Sequence, residues 1–285
     1  MKKTILLFFI FPFLLNAQKD DERAQFFPKQ EIVVDKLPEK EKLWVFILAG
    51  QSNMAGRGFI EPQDTLPHKN IFTLNKENVC ILAKEPLHYY EPKLTGLDCG
   101  MSFGRNLVKD LKDDISIVLI PTAVGGSSVS YWLNDSIFRN VNLRSNLIEK
   151  IEWAKEHGTL KGVLWHQGEN DATVEKATKY ECDLKKLFYL MRYVADDSQL
   201  PIVVGELAPF SKKEEVRKNY ARITNIIYKV AIDDKNIRIV KTSDLKPMSD
   251  FIHFDSPSLR IMGERYAQEF IEVLKEKNPA SFKTN

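Results

Sequence analysis

Five short apolar runs punctuate this chain, at residues 43–49 (LWVFILA), 115–120 (ISIVLI), 162–166 (GVLWH), 201–205 (PIVVG) and, more weakly, 237–240 (IRIV). Each is rich in β-branched or aromatic side chains. A strand with one face in water alternates apolar and polar residues; a run with no polar side belongs to a strand buried on both faces. Segments of helical period lie between and after them, at 101–112, 143–157, 174–195, 213–232 and 257–277. In the last, Ile261, Tyr266, Phe270, Ile271 and Leu274 gather on one face, with Glu264, Arg265, Glu272 and Lys275 around it. Strands alternating with helices predict an α/β fold with a central parallel sheet of about five strands, covered by helices on both faces. Ligands of such sheets bind beyond the carboxyl ends of the strands. The loops at 50–58, 121–132, 167–173, 206–211 and 242–256 are therefore where chemistry is to be sought.

The segment before the first strand bears on compartment. Lys2 and Lys3 precede an apolar run, residues 5–15, broken only by Pro12, and Ala17 offers a small residue for cleavage. This is the layout of a secretory signal peptide, and the run is shorter than the ~20 apolar residues a spanning helix needs. An uncleaved anchor is the alternative. The expected organisation is a signal peptide at 1–17, a charged arm or linker at 18–42 and one domain at 43–285, in a secreted or periplasmic protein without stable membrane insertion. The chain carries 41 Lys+Arg against 39 Asp+Glu, and cleavage after Ala17 removes two lysines and no acid, leaving 39 against 39. So balanced a chain lacks the basic face that nucleic acid requires. Cys80, Cys99 and Cys182 match no zinc spacing. An oxidising compartment permits one disulfide, Cys80 and Cys99 being nearest in sequence, and an odd count leaves at least one thiol unpaired.

The first loop reads Gly50-Gln51-Ser52-Asn53-Met54-Ala55-Gly56, directly after a strand. Glycines let the backbone turn sharply there. A serine hydroxyl becomes a nucleophile only when a base takes its proton; the same loop would equally make a polar turn with an N-cap serine. Among the five histidines, His253 stands three residues after Asp250 on the last such loop. That spacing lets a carboxylate fix one imidazole nitrogen and leaves the other for a serine proton. The third loop, Trp165-His166-Gln167-Gly168-Glu169-Asn170-Asp171, offers amides from Gln167 and Asn170. Gly125-Gly126 of the second loop and the Ser52 backbone offer N–H groups. Such donors stabilise the oxyanion of acyl transfer, each worth about 2.7–4 kcal/mol. Glu169 is a second candidate for the acid that holds His253, and Asp255 a third. His166 reads as a buried, hydrogen-bonded histidine.

Together and in this order, Gly50-Gln51-Ser52-Asn53-Met54, Ala123-Val124-Gly125-Gly126-Ser127, Trp165-His166-Gln167-Gly168-Glu169 and Asp250-Phe251-Ile252-His253-Phe254 resemble the blocks of the SGNH (GDSL-like) hydrolases, in particular the sialate O-acetylesterase and acetylxylan esterase branch. The resemblance implies a flavodoxin-like three-layer α/β/α sandwich with no metal or organic cofactor. It assigns Ser52 as nucleophile, His253 as base and Asp250 as the orienting acid. Gln51, Gln167 and Asn170 fall where oxyanion or substrate groups are expected, with Gly125 or Gly126 as the second-block glycine and Glu169 beside them. The implied reaction is hydrolysis of an O-acetyl ester on a carbohydrate such as acetylated xylan or sialic acid. The alternatives are a lipase or lysophospholipase of the same superfamily, or a carbohydrate-binding relative without activity. Tyr89, Tyr90, Tyr131 and Trp132 are candidate sugar-stacking aromatics.

Overall fold

The computed structural model describes residues 30–283. The signal-peptide assignment at 1–17 lies outside the described residues. Strand β1 (Leu43–Gly50) is buried at every position because it lies mid-sheet, paired in parallel with β4 (Ser116–Pro121) on one side and β7 (Thr159–His166) on the other. Leu43, Val45, Ile47 and Ala49 enter one core, and Trp44, Phe46 and Leu48 the other. Beyond β7 lie β8 (Ile202–Gly205) and β9 (Ile237–Val240), also parallel. All five apolar runs are therefore mutually parallel strands of one sheet.

The sheet has seven strands, in the order β3-β2-β4-β1-β7-β8-β9. The two additional ones, β2 (Ile71–Leu74) and β3 (Cys80–Leu82), arise between β1 and β4. Strand β3 is antiparallel and sits at the edge. The arm covers it: Leu82 N–H donates to the Ile32 carbonyl and Val34 N–H to the Cys80 carbonyl. One face of the sheet carries α4 (Leu143–His157), α5 (Val174–Val194) and α6 (Glu214–Ile232), and the other α2 (Gly100–Asp110) and α7 (Ser256–Lys277). Two short helices, α1 (Ser52–Ala55) and α3 (Val129–Leu133), and a hairpin of β5 (Ile137–Phe138) and β6 (Val141–Asn142) stand in the loops.

The three cysteines are free, and Cys80 and Cys99 belong to the cores on opposite faces of the sheet, so the disulfide that the sequence permits does not form. Burial pushes the Cys80 thiol up to about 12 and Cys99 well above its ordinary value. Cys182 is exposed.

Candidate active site

The loops after β1, β4 and β7 and the loop before α7 meet at the carboxyl edge of the sheet. Gly50 turns the chain out of β1 at φ 137°, a conformation L side chains rarely adopt, and an added Cβ would lie 2.1 Å from the His166 carbonyl. The chain re-enters as α1, whose first residue is Ser52. Gln51 N–H donates to the His166 carbonyl (2.9 Å), and Gln51's own carbonyl accepts Met54 and Ala55 N–H, which fixes the turn on the β7 loop.

His253 Nε2 lies 2.9 Å from Ser52 Oγ, and His253 Nδ1 lies 2.6 Å from Asp250 Oδ2. Asp250 Oδ1 also accepts the backbone N–H groups of Ile252 (2.9 Å) and His253 (3.0 Å), across a turn that places Phe251 at φ 58°. Partial burial pushes the Asp250 carboxyl up, but these N–H groups and the imidazole outweigh it and hold the group below its usual range. Of the three candidate acids, Asp250 is the one that meets His253. Asp255 instead caps α7, accepting Ser258 N–H at 2.9 Å.

Glu169 turns to a residue the sequence did not single out. Asn53 Nδ2 donates to Glu169 Oε1 (2.6 Å) and to the Ile252 carbonyl (3.3 Å), while Asn53 Oδ1 accepts Phe254 N–H (3.2 Å). One buried amide thus joins the Ser52 loop, the β7 loop and the histidine loop. Burial pushes the Glu169 carboxyl up; the His166 imidazole, its own loop's N–H and the Asn53 amide outweigh that and lower it. His166 is buried as expected, but neither ring nitrogen has a hydrogen bond: its Nε2 stands 3.6 Å from Glu169 Oε1.

The oxyanion candidates divide by what else their hydrogens meet. Gly125 N–H donates to Glu91 Oε2 (2.6 Å), a buried carboxylate that also pairs with Arg57 (2.8 Å) and with Arg139 of the hairpin. A Cβ at Gly125 would lie 2.1 Å from Arg57 Nη2. Gly126, at φ 80°, follows as the next N–H on that loop and lines the cavity. Gln167 was expected at the oxyanion site; the structure places its amide behind it, donating to Asp171 Oδ2 (2.5 Å), the Ser127 carbonyl (3.1 Å) and Gln51 Oε1 (3.3 Å). The side chain is fully buried and is not among the residues lining the cavity. Gln51 Oε1 also accepts Asn170 N–H (3.3 Å), so two donors fix the oxygen end of the Gln51 amide. Gln51 and Asn170 both line the cavity.

That cavity holds about 420 Å³ above Ser52 and His253. Its aromatic residue is Tyr220 of α6, not any of the four anticipated. Trp132 is fully buried and donates from Nε1 to Ser127 Oγ (3.0 Å); Tyr131 packs on Phe138; Tyr90 bonds the Pro121 carbonyl and Asn146. Trp132 belongs to the core on the α4–α5 face of the sheet, Tyr90 and Tyr131 pack against that core, and Tyr89 lines a different cavity. Arg57, Leu94, Arg139, Met248 and Ile252 complete the walls. No cluster among the described residues could hold a metal ion.

Residues 42–272 match the family described as carbohydrate esterase, sialic acid-specific acetylesterase. A probable carbohydrate esterase of Arabidopsis thaliana is 26% identical over 249 residues, covering 80% of this chain and 90% of that protein. Its crystal structure superposes with a TM-score of 0.70 over 82% of this chain and 99% of its own. NanS shares the fold at 17% identity and a TM-score of 0.64, covering 85% of this chain and 100% of its own. So does a carbohydrate acetylesterase of Xanthomonas citri, at 19% and 0.59, over 79% of this chain and 55% of its own. The match spans most of the chain and all four loops at the carboxyl edge of the sheet, and the chain accordingly belongs to this carbohydrate esterase family and is a carboxylic ester hydrolase.

Proposed function

We propose that the protein is a secreted or periplasmic serine esterase that removes O-acetyl groups from a carbohydrate through an acetyl-serine intermediate. The observation that carries this reading is the unbroken chain from Ser52 Oγ to His253 Nε2 and from His253 Nδ1 to Asp250, opening on a cavity with the amide of Gln51 and the Asn170 side chain in its wall. The Ser–His distance is within direct proton-transfer reach.

In the first step the Ser52 Oγ–H proton passes to His253 Nε2 as Oγ bonds the acetyl carbonyl carbon. Negative charge collects on the carbonyl oxygen, and the N–H groups of Ser52 and Gly126, with the amides of Gln51 and Asn170, receive it. The bond to the sugar oxygen then breaks, and the proton on His253 goes to that oxygen. Water repeats the sequence on acetyl-Ser52: its oxygen bonds the acyl carbon as His253 takes its proton, the serine–acyl bond breaks, the proton passes from His253 to Ser52 Oγ, and acetic acid leaves. Asp250 stays ionised throughout, stabilising the imidazolium and fixing its tautomer. Gln167 acts behind these groups by holding the Gln51 oxygen, and Glu169, in the cavity wall, holds Asn53.

A short acyl group and a sugar alcohol suit the cavity better than a lipid. Its walls mix Arg57, Arg139, Glu169 and Asn170 with few apolar side chains, and a lipid chain needs a continuous apolar lining. Acetate release from acetylated xylan, O-acetyl sialic acid and p-nitrophenyl acetate, compared with a series of longer acyl esters, tests the assignment. Preference for acetyl on a sugar supports it; preference for long acyl chains refutes it.

A further inference from the structure

A cavity of about 720 Å³ lies far from the serine, at the amino-terminal edge of the sheet where the chain enters β8 and β9. Its wall carries Tyr189 and Tyr193, one helical turn apart on α5 and 71% and 69% exposed. Their rings lie nearly parallel, 22° apart with centroids at 6.3 Å. Side by side, the two rings make an exposed aromatic pair rather than an isolated surface residue. Neither ring packs into a core, while Phe188 beside them does.

We propose that this cavity is a second carbohydrate-binding site, taking an uncharged stretch of a glycan chain on the paired tyrosine faces and anchoring the enzyme to a polymeric substrate. The inference rests on the carbohydrate reading above. Two further observations select this occupant. The lining residues include four carboxylates, Asp196, Asp197, Asp233 and Asp234, against two cations, Lys185 and Arg192, which disfavours nucleic acid, anionic lipid and acidic glycans. Half of the twelve lining residues are charged, whereas the centre of a protein–protein interface is depleted of Lys, Asp and Glu. Tyrosine offers a rigid flat face with a polar edge, at small cost in side-chain entropy.

The test uses the chain with Ser52→Ala, which binds without turnover, in native gels containing xylan or glucomannan, acetylated and deacetylated, or polygalacturonate as an acidic control. Retardation by a neutral polymer, weakened about tenfold or more by Tyr189→Ala/Tyr193→Ala, is expected. In an otherwise wild-type background, the tyrosine pair variant should keep its p-nitrophenyl acetate turnover and its melting temperature, since both rings are exposed. Equal retardation of the variant, no retardation by any neutral polymer, or retardation by polygalacturonate alone overturns the proposal. So does sedimentation showing that the tyrosine changes convert a dimer to a monomer, which would make this face a contact between copies. If acetate is released from glycans while the tyrosine variant binds normally, the second site fails alone. If no acetylated glycan is a substrate, the functional reading fails, whatever the gels show.

Discussion

Replacing Asn53 by alanine should damage both stability and turnover while leaving every member of the Ser–His–Asp chain in place. The side chain is 2% exposed and makes three hydrogen bonds to two other loops. Truncation strands the buried Phe254 N–H, at a cost of about 1–3 kcal/mol, and removes from Glu169 a charge-assisted bond worth about 1.5–3 kcal/mol. The bonds belong to one network and do not add, so the expected loss is about 3 kcal/mol by urea denaturation. The histidine loop loses its tie to the helix that begins with Ser52, and a misplacement of order 1 Å can cost 10²-fold. We expect kcat for p-nitrophenyl acetate to fall roughly 10- to 100-fold with KM changed little, because Asn53 does not line the cavity. An Asn53→Ala protein with wild-type kcat and an unchanged urea midpoint would refute the reasoning. Equal loss in kcat and rise in KM, with normal stability, would show that Asn53 acts on substrate instead.

Other consequences follow from the same geometry. Asp250→Asn should lower kcat by several orders of magnitude, up to about 10⁴, whereas Glu169→Gln, which keeps an oxygen for Asn53, should cost far less; the reverse order would make Glu169 the acid that serves His253. Burial, reinforced by Asp98 and Asp64, raises the Glu85 carboxyl well above its ordinary value. The folded state then binds more protons than the unfolded one, so stability falls as pH rises from the unfolded carboxylate value, ~4.3, through the raised one. Glu85→Gln should therefore stabilise the protein at pH 8 and change little at pH 4, measured by urea midpoints; equal effects at both would contradict it. Native protein should expose one thiol, Cys182, to a thiol reagent, with Cys80 and Cys99 reacting only on unfolding.

The sequence made the sheet centre legible because β1, β4, β7, β8 and β9 are buried on both faces and so lose all polar alternation. Strands β2 and β3, four and three residues long, carry too few positions for any period to show. Their place depends on pairing with β4 and with the arm, which no local pattern encodes. Asp250 and His253 were legible for the opposite reason: their contact spans three residues, and a turn alone brings them together. The Asn53–Glu169 pair spans 116 residues and is visible only once β1 and β7 lie side by side. The stacking aromatics were misplaced because a Trp beside an active loop reads alike whether it points in or out; Trp132 points in, to Ser127 and Trp165. Tyr220 escaped notice because its helix reads simply as amphipathic. Gln167 has the chemistry of an oxyanion donor, and only its three acceptors show that its hydrogens are already engaged.

The most direct test of the central claim is acid quenching of the enzyme during turnover of an acetylated substrate, followed by peptide mass spectrometry. The account predicts a single acetyl group on the peptide containing Ser52, absent from Ser52→Ala. It also predicts that the group disappears once the substrate is exhausted, because water then clears acetyl-Ser52. Acetate released at the wild-type rate by Ser52→Ala, or an acetyl group carried by any other residue, would contradict it.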